Sequence, residues 1–255
     1  MYKGKRFRVR GLDEIREDIA WAGRQYGQAE KIFLADGDAL AMETGQLLEV
    51  LAELRRTFPH ADRISLYAGP KNIIKKTPDE LASLHDAGIK LAYMGIESGD
   101  EEVLRSVHKG TTPDEMVAAG KKIQEAGIAL SATVILGLGG RERWREHALA
   151  TARAASAINP HYLAALTLMV EEEMPLAKKI ARGEFTLLSP RESLEELKLL
   201  LEALDVDHCV FRSNHASNYF AVGGILPDDR EGMLAAVDRA LKNEQLLKPE
   251  YFRGF

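Results

Sequence analysis

A chain of 255 residues with 45% hydrophobic and 29% charged side chains has the make-up of an ordinary globular protein, long enough for one sizeable core. Its net charge of −5 argues against general nucleic-acid binding, and no apolar run approaches the ~20 residues of a membrane-spanning helix. A lone cysteine, Cys209, rules out an internal disulfide and fits a reducing compartment, so a cytoplasmic location is expected.

The opening residues MYKGKRFRVR are basic and have no apolar centre, so they read neither as a secretory signal nor as a buried strand. Residues 12–26 then have the spacing of an amphipathic helix, and KIFLA (31–35) follows as the first apolar run. Further helices are expected over 44–57, 78–87, 113–126 and 141–157. They alternate with apolar, partly β-branched runs at 63–67, 90–96, 128–136 and 162–170. These runs are almost continuously apolar, the pattern of parallel strands covered on both faces. Thr77-Pro78 and Thr112-Pro113 mark helix starts, each with acids in the first turn. Gly27, Gly88 and Gly127 stand just past helix ends, before the next strand.

This cadence predicts an α/β fold, a partial (β/α) barrel with right-handed crossovers over residues 1–220. After Glu171 the cadence weakens: residues 190–204 read as a helix capped by Ser189, residues 209–212 as a short strand, and residues 228–243 as a helix after Pro227. The stretch 221–255 is expected to be a C-terminal helical extension packed on the barrel.

The series starts with half a unit, because helix 12–26 has no strand before it. A barrel without its first strand has an open edge, which natural proteins usually avoid, and self-association through that edge is expected. The expectation that follows is a missing upstream strand, with Met1 an internal methionine of a longer protein.

Ligands of α/β folds bind at the carboxyl ends of the strands. Those positions hold Asp36, Gly37 and Asp38 after the first run, Gly69-Pro70-Lys71 after the second and Glu97-Ser98-Gly99 after the third. Leu136, Gly137 and Gly139 end the fourth, and Glu171-Glu172-Glu173 follows the fifth. Carboxylates there can accept hydrogen bonds from an ammonium or from ribose hydroxyls, and glycines let the backbone approach a ligand closely. Each turn taken alone also reads as an ordinary cap for the next helix.

Three segments in this order, ADGDA at 35–39, GIESGDEEVLRSVHKG at 95–110 and VILGLGG at 134–140, resemble the radical S-adenosylmethionine superfamily. The resemblance is to its elongator-like and oxygen-independent coproporphyrinogen-oxidase-like branch. It implies a radical SAM type of barrel missing its first strand, and S-adenosylmethionine as cofactor. By resemblance, Asp36, Gly37 and Asp38 stand where the family holds the methionine amino group. Glu97 and Ser98 stand where it contacts the ribose or the methionine carboxylate. Leu136, Gly137 and Gly139 stand where it packs on adenine. The family's C-x3-C-x2-C motif, whose thiolates hold a [4Fe-4S] cluster that reduces the cofactor to a 5′-deoxyadenosyl radical, has no counterpart in this sequence. The chain alone is therefore expected to be inactive, its parent a radical enzyme. The alternative is a cluster-free barrel that binds a nucleotide-like ligand or a protein partner. A lysine-based lyase using Lys71 or Lys109 ranks below both, since both lysines lie in polar loops.

His208, Cys209 and His215 match no zinc spacing, so no metal site is expected. Arg212, Asn214 and His215 lie in a segment rich in hydrogen-bonding groups that reads either as a polar loop closing one end of the barrel or as a substrate-facing lid. His108-Lys109 is expected to serve the end of a short helix.

Overall fold

The computed structural model describes residues 8–35 and 37–254. Its elements run α1 (Leu12–Tyr26), β1 (Lys31–Leu34), α2 (Thr44–Thr57), β2 (Arg63–Tyr67), α3 (Pro70–Lys75), α4 (Pro78–Asp86) and β3 (Ile89–Glu97). They continue with α5 (Glu101–Ser106), α6 (Pro113–Glu125), β4 (Ala129–Leu136), α7 (Gly140–Ile158), β5 (Tyr162–Thr167) and α8 (Pro175–Ala181). The last are α9 (Pro190–Ala203), β6 (Cys209–Ser213), β7 (Val222–Leu226) and α10 (Arg230–Lys242). The strand order is β1-β2-β3-β4-β5-β6-β7, so neighbours in sequence are neighbours in the sheet.

Contacts divide the chain into two compact units. One comprises the residues up to Tyr93 with Lys122–Ala129; the other comprises Met94–Lys121 and everything from Leu130 on. In the first, β1, β2 and the start of β3 pair in parallel, with Ile64 opposite Ile32 and Tyr67 opposite Tyr93. Helix α2 buries Leu47, Val50, Leu51 and Leu54, spaced three or four apart along one face. Burial of such side chains stabilises by roughly 1.5–3 kcal/mol each. Between α1, β1 and α2 lies a cavity of about 410 Å³ lined by Ile15, Ile19, Ile32, Leu34, Leu47 and Leu54 among others. Among the described residues the outer edge of β1 has no strand partner.

In the second unit, β4, β5 and β6 are parallel, and β7 pairs antiparallel with β6. Its buried residues include Met94, Ile96, Leu104, Leu130, Ala132, Val134, Leu163, Ala165 and Phe211. Helix α9 adds Leu194, Leu197, Leu200 and Leu201.

The capping signals behave as their chemistry requires. Thr77 and Glu80 exchange hydrogen bonds as a capping box, and so do Thr112 with Glu115 and Ser189 with Glu192. Gly88 and Gly127 are left-handed, at φ 117° and 84°. Gly27 differs: its φ is −57°, so the chain leaves α1 in right-handed geometry, and a Cβ there is crowded by the Gly23 carbonyl oxygen at 3.0 Å rather than excluded by the backbone conformation. Three elements escape the sequence pattern, the short helix α8 among them. Helix α3 is a short turn after Gly69, with Pro70 at its first position. The stretch from residue 221, expected to be helical, opens with strand β7, whose VGGIL sequence has too few β-branched residues to announce it.

Candidate binding site at the strand ends

The loop after β3 is held from behind by α7. Gly99 donates its N–H to Thr151 Oγ1 at 2.9 Å, and a Cβ on Gly99 would lie 2.2 Å from the Ala150 carbonyl oxygen. Only glycine lets the two backbones meet this closely. Ser98 is fully buried, and its Oγ accepts the Asp100 N–H at 2.9 Å. Asp100 caps α5 through the N–H groups of Glu102 and Val103, at 2.9 and 3.1 Å, and accepts from Arg143 of α7 at 2.9 Å. Burial pushes the Asp100 carboxyl up, but Arg143 and the two backbone donors outweigh it and hold the group below its ordinary value.

Ser98, Gly99 and Asp100 are thus spent on structure. Glu97 is not. Its backbone sits at φ 65°, a left-handed conformation that costs a non-glycine residue about 1 kcal/mol. That turn carries the half-exposed side chain away from the loop's anchoring contacts to Lys109 Nζ, 2.5 Å from Oε1. Lys109 follows α5, where His108 takes the left-handed position at φ 56° and the Lys109 N–H donates to the Leu104 carbonyl. His108 therefore ends the helix as expected, while Lys109 reaches across to Glu97. The sequence hid that pairing, because the partners stand twelve positions apart with a helix between them.

After β4, Gly137 and Gly140 adopt φ 83° and 64°, and the Gly140 N–H closes the turn onto the Gly137 carbonyl at 3.1 Å. Leu136, Gly137 and Gly139 are all buried. Beneath the turn, Glu196 of α9 accepts the Gly137 N–H at 2.5 Å through Oε2 and meets His147 Nδ1 of α7 at 2.6 Å through Oε1. Sequence reasoning missed both residues. The signal was present: helical spacing puts Glu196 on the same face as Ser193, Leu197 and Leu200.

The polar segment after β6 is tied to the end of β5. Asn218 donates to the Ala165 carbonyl and to Thr167 Oγ1, and Ser217 Oγ accepts the Thr167 N–H. Arg253 donates to the carbonyls of Ser217 and Leu168, and its guanidinium lies 3.9 Å from the centre of the Tyr219 ring. His215 is half-buried, with Nδ1 accepting the Ser217 N–H at 3.2 Å. Arg212 and Asn214 are exposed and line a shallow cleft with Val210, Gly223 and Ile225.

In the first unit, Asp36 lies outside the described residues. Gly37 takes φ 121°. Asp38 spends its carboxylate internally: Oδ1 accepts the Leu40 N–H, and Oδ2 accepts the Gly69 N–H and Asn72 Nδ2–H at 2.8 and 2.7 Å. Phe33, Tyr67 and Tyr93, on three adjacent strands, stack with ring centres 4.8–6.2 Å apart, and Phe33 and Tyr67 are exposed.

The four-iron cluster does not fit this chain. Three thiolates are needed, and the sequence has one cysteine. Cys209 is fully buried in β6, where burial pushes its thiol up to about 12. No group of three or more potential metal ligands occurs among the described residues.

Comparison with known proteins follows this geometry. The family model described as Radical SAM superfamily matches residues 2–152, more than half of the chain. Coproporphyrinogen III oxidase of Escherichia coli, a radical SAM enzyme, has a similar structure, with TM-score 0.60 and 20% identity over 75% of this chain and 44% of that one. Elp3 of Methanocaldococcus infernus gives 0.59 at 14% identity, over 92% of this chain and 59% of its own. An uncharacterized methyltransferase of Pyrococcus horikoshii is 21% identical over 160 residues, 62% of this chain. The chain spans 33% of the length of that curated relative.

Proposed function

This chain belongs to the Radical SAM superfamily, and from that premise we propose that the loops after β3 and β4 bind S-adenosylmethionine. One observation carries the reading: Glu97 and Lys109 form a carboxylate–ammonium pair at a strand end, in a loop whose other polar groups are committed to structure. An amino-acid zwitterion presents the complementary pair of charges, and a ribose presents a diol that a carboxylate accepts. Part burial strengthens such contacts relative to water. The left-handed glycines at 137 and 140 give the next loop a tight backbone turn suited to a flat base.

In this superfamily S-adenosylmethionine is the source of a 5′-deoxyadenosyl radical once a cluster supplies an electron. The residues of this chain do not hold that cluster, so by this reading the 255 residues alone bind the cofactor without cleaving it. The similar proteins carry unlike activities in their names, an oxidase and a methyltransferase, so the likeness selects no substrate class. Arg212, Asn214 and His215 are assigned to a substrate on the polarity of their segment. Two further readings accompany this one. The single buried cysteine supports a reducing, cytoplasmic setting, and the outer edge of β1, without a strand partner among the described residues, supports self-association through it.

Isothermal calorimetry with S-adenosylhomocysteine tests the reading. Binding by the unaltered chain, lost in Glu97→Gln and Lys109→Ala with the thermal midpoint unchanged, supports it. Absence of binding by the unaltered chain rejects it. Release of 5′-deoxyadenosine on incubation with S-adenosylmethionine and dithionite would reject the inactivity.

A further inference from the structure

We propose that the buried His147–Glu196 pair is the positioning element of the glycine turn after β4, holding the Gly137 amide so that the turn keeps its ligand-accepting shape; this rests on the binding reading above.

Glu196 is fully buried on α9, and His147 is 1% exposed on α7. Apart from Ser193, the buried α9 face around Glu196 is leucine: Leu194, Leu197, Leu200 and Leu201. An apolar side chain at 196 would continue that face, and removing an acidic group from water is expensive. Helix packing alone therefore gives no reason for a glutamate. The hydrogen bonds give one. A carboxylate oxygen only accepts, so the Gly137 N–H donates to Oε2 at 2.5 Å and His147 Nδ1–H donates to Oε1 at 2.6 Å. With the proton on Nδ1, His147 Nε2 is left buried without a hydrogen-bond partner among the described residues. The imidazole thus forgoes one bond to keep the carboxylate aimed at Gly137.

The turn also rests on the histidine sterically. A Cβ on Gly139 would lie 2.8 Å from His147 Cβ. Gly137 and Gly140 sit at φ 83° and 64°, and the Gly140 N–H donates to the Gly137 carbonyl, so the Gly137 peptide is the hinge of the turn. Fixing one amide there fixes the turn. Both residues are buried, so by this reading both act through the backbone they hold.

The test compares Glu196→Leu, which suits the apolar face but removes the acceptor, with Glu196→Gln, whose amide oxygen still accepts the Gly137 N–H. Lys198→Ala, a change on the same helix at a half-buried side chain that pairs with Asp238 rather than with the turn, is the control. Three readouts are taken on the full chain: thermal midpoint, the Gly137 amide shift and hydrogen exchange by NMR, and calorimetric affinity for S-adenosylhomocysteine. Glu196→Leu is expected to fold, to free the Gly137 amide to exchange, and to weaken affinity about tenfold, the value of one lost hydrogen bond. Glu196→Gln and Lys198→Ala are expected to bind as the unaltered chain does. Should Glu196→Leu fail to fold, His147→Asn, which withdraws the ring, is expected to weaken affinity in its place. Unchanged affinity in a folded Glu196→Leu, or in His147→Asn, overturns the positioning role while leaving the binding reading intact. No binding by the unaltered chain overturns both.

Discussion

Two loops of this chain end a strand in a carboxylate, and they use it in opposite ways. Asp38 turns its carboxylate inward, where three donors from its own unit occupy both oxygens. Glu97 takes a strained backbone conformation that turns its carboxylate away from the loop's anchors, to a single lysine. The side chains are nearly alike and both follow an apolar strand. The difference is the set of donors the fold brings within reach, one local and two from the segment after β2 for Asp38: a carboxylate that meets backbone N–H groups becomes a cap. One held away from them pairs with a side chain instead, as Glu97 does with Lys109.

The largest expected effect breaks the anchor of the Glu97 loop. Gly99→Val places side-chain atoms into the backbone of α7 and is expected to cost about 3 kcal/mol or more, read from urea unfolding. Next, Asp38→Ala leaves the Gly69 N–H without its acceptor and is expected to cost about 2 kcal/mol, whereas Glu97→Gln stays within about 0.5 kcal/mol of the unaltered chain. Equal losses in these two variants would erase the contrast between the loops.

Asp100 sharpens it through pH. Its folded carboxyl lies below its ordinary value, so its contribution is present above the unfolded pKa and is lost as pH falls through the folded one. The unaltered chain should therefore lose stability below pH about 4, and Asp100→Asn should show a shallower loss over that range in acid unfolding followed by circular dichroism. A slope that does not change on substitution counts against the Arg143 contact.

Cys209 should resist alkylation by iodoacetamide in the folded chain and react once denatured, since it is buried and its thiol is raised to about 12. The smallest effect is expected at Gly45 of α2. A Cβ there meets nothing within 4 Å, so Gly45→Ala should raise stability by about 0.5 kcal/mol, seen as a small gain in thermal midpoint.

The alternation of apolar runs with capped helices made β1 to β6 and the long helices legible, because period and cap chemistry are local properties of a segment. Strand β7 was not legible, since a glycine-rich strand owes its existence to the partner it pairs with. The same division runs through the site. The GIESG segment drew attention to Glu97 and Ser98 together, yet burial gives them different tasks. Lys109, His147 and Glu196 each act on residues distant in sequence, so spacing could at most place Glu196 on a buried helix face and could not name its partners.

The sequence by itself determined the order of strands and helices, the strand-end location of the polar residues, and the absence of cluster ligands, all of them matters of local pattern or count. Tertiary structure alone decided which carboxylate caps backbone N–H groups and which meets a lysine. A side chain's hydrogen bonds depend on which donors the fold brings within about 3 Å of it, and for Glu97, Asp100 and Gly137 the partner that matters comes from beyond the loop itself.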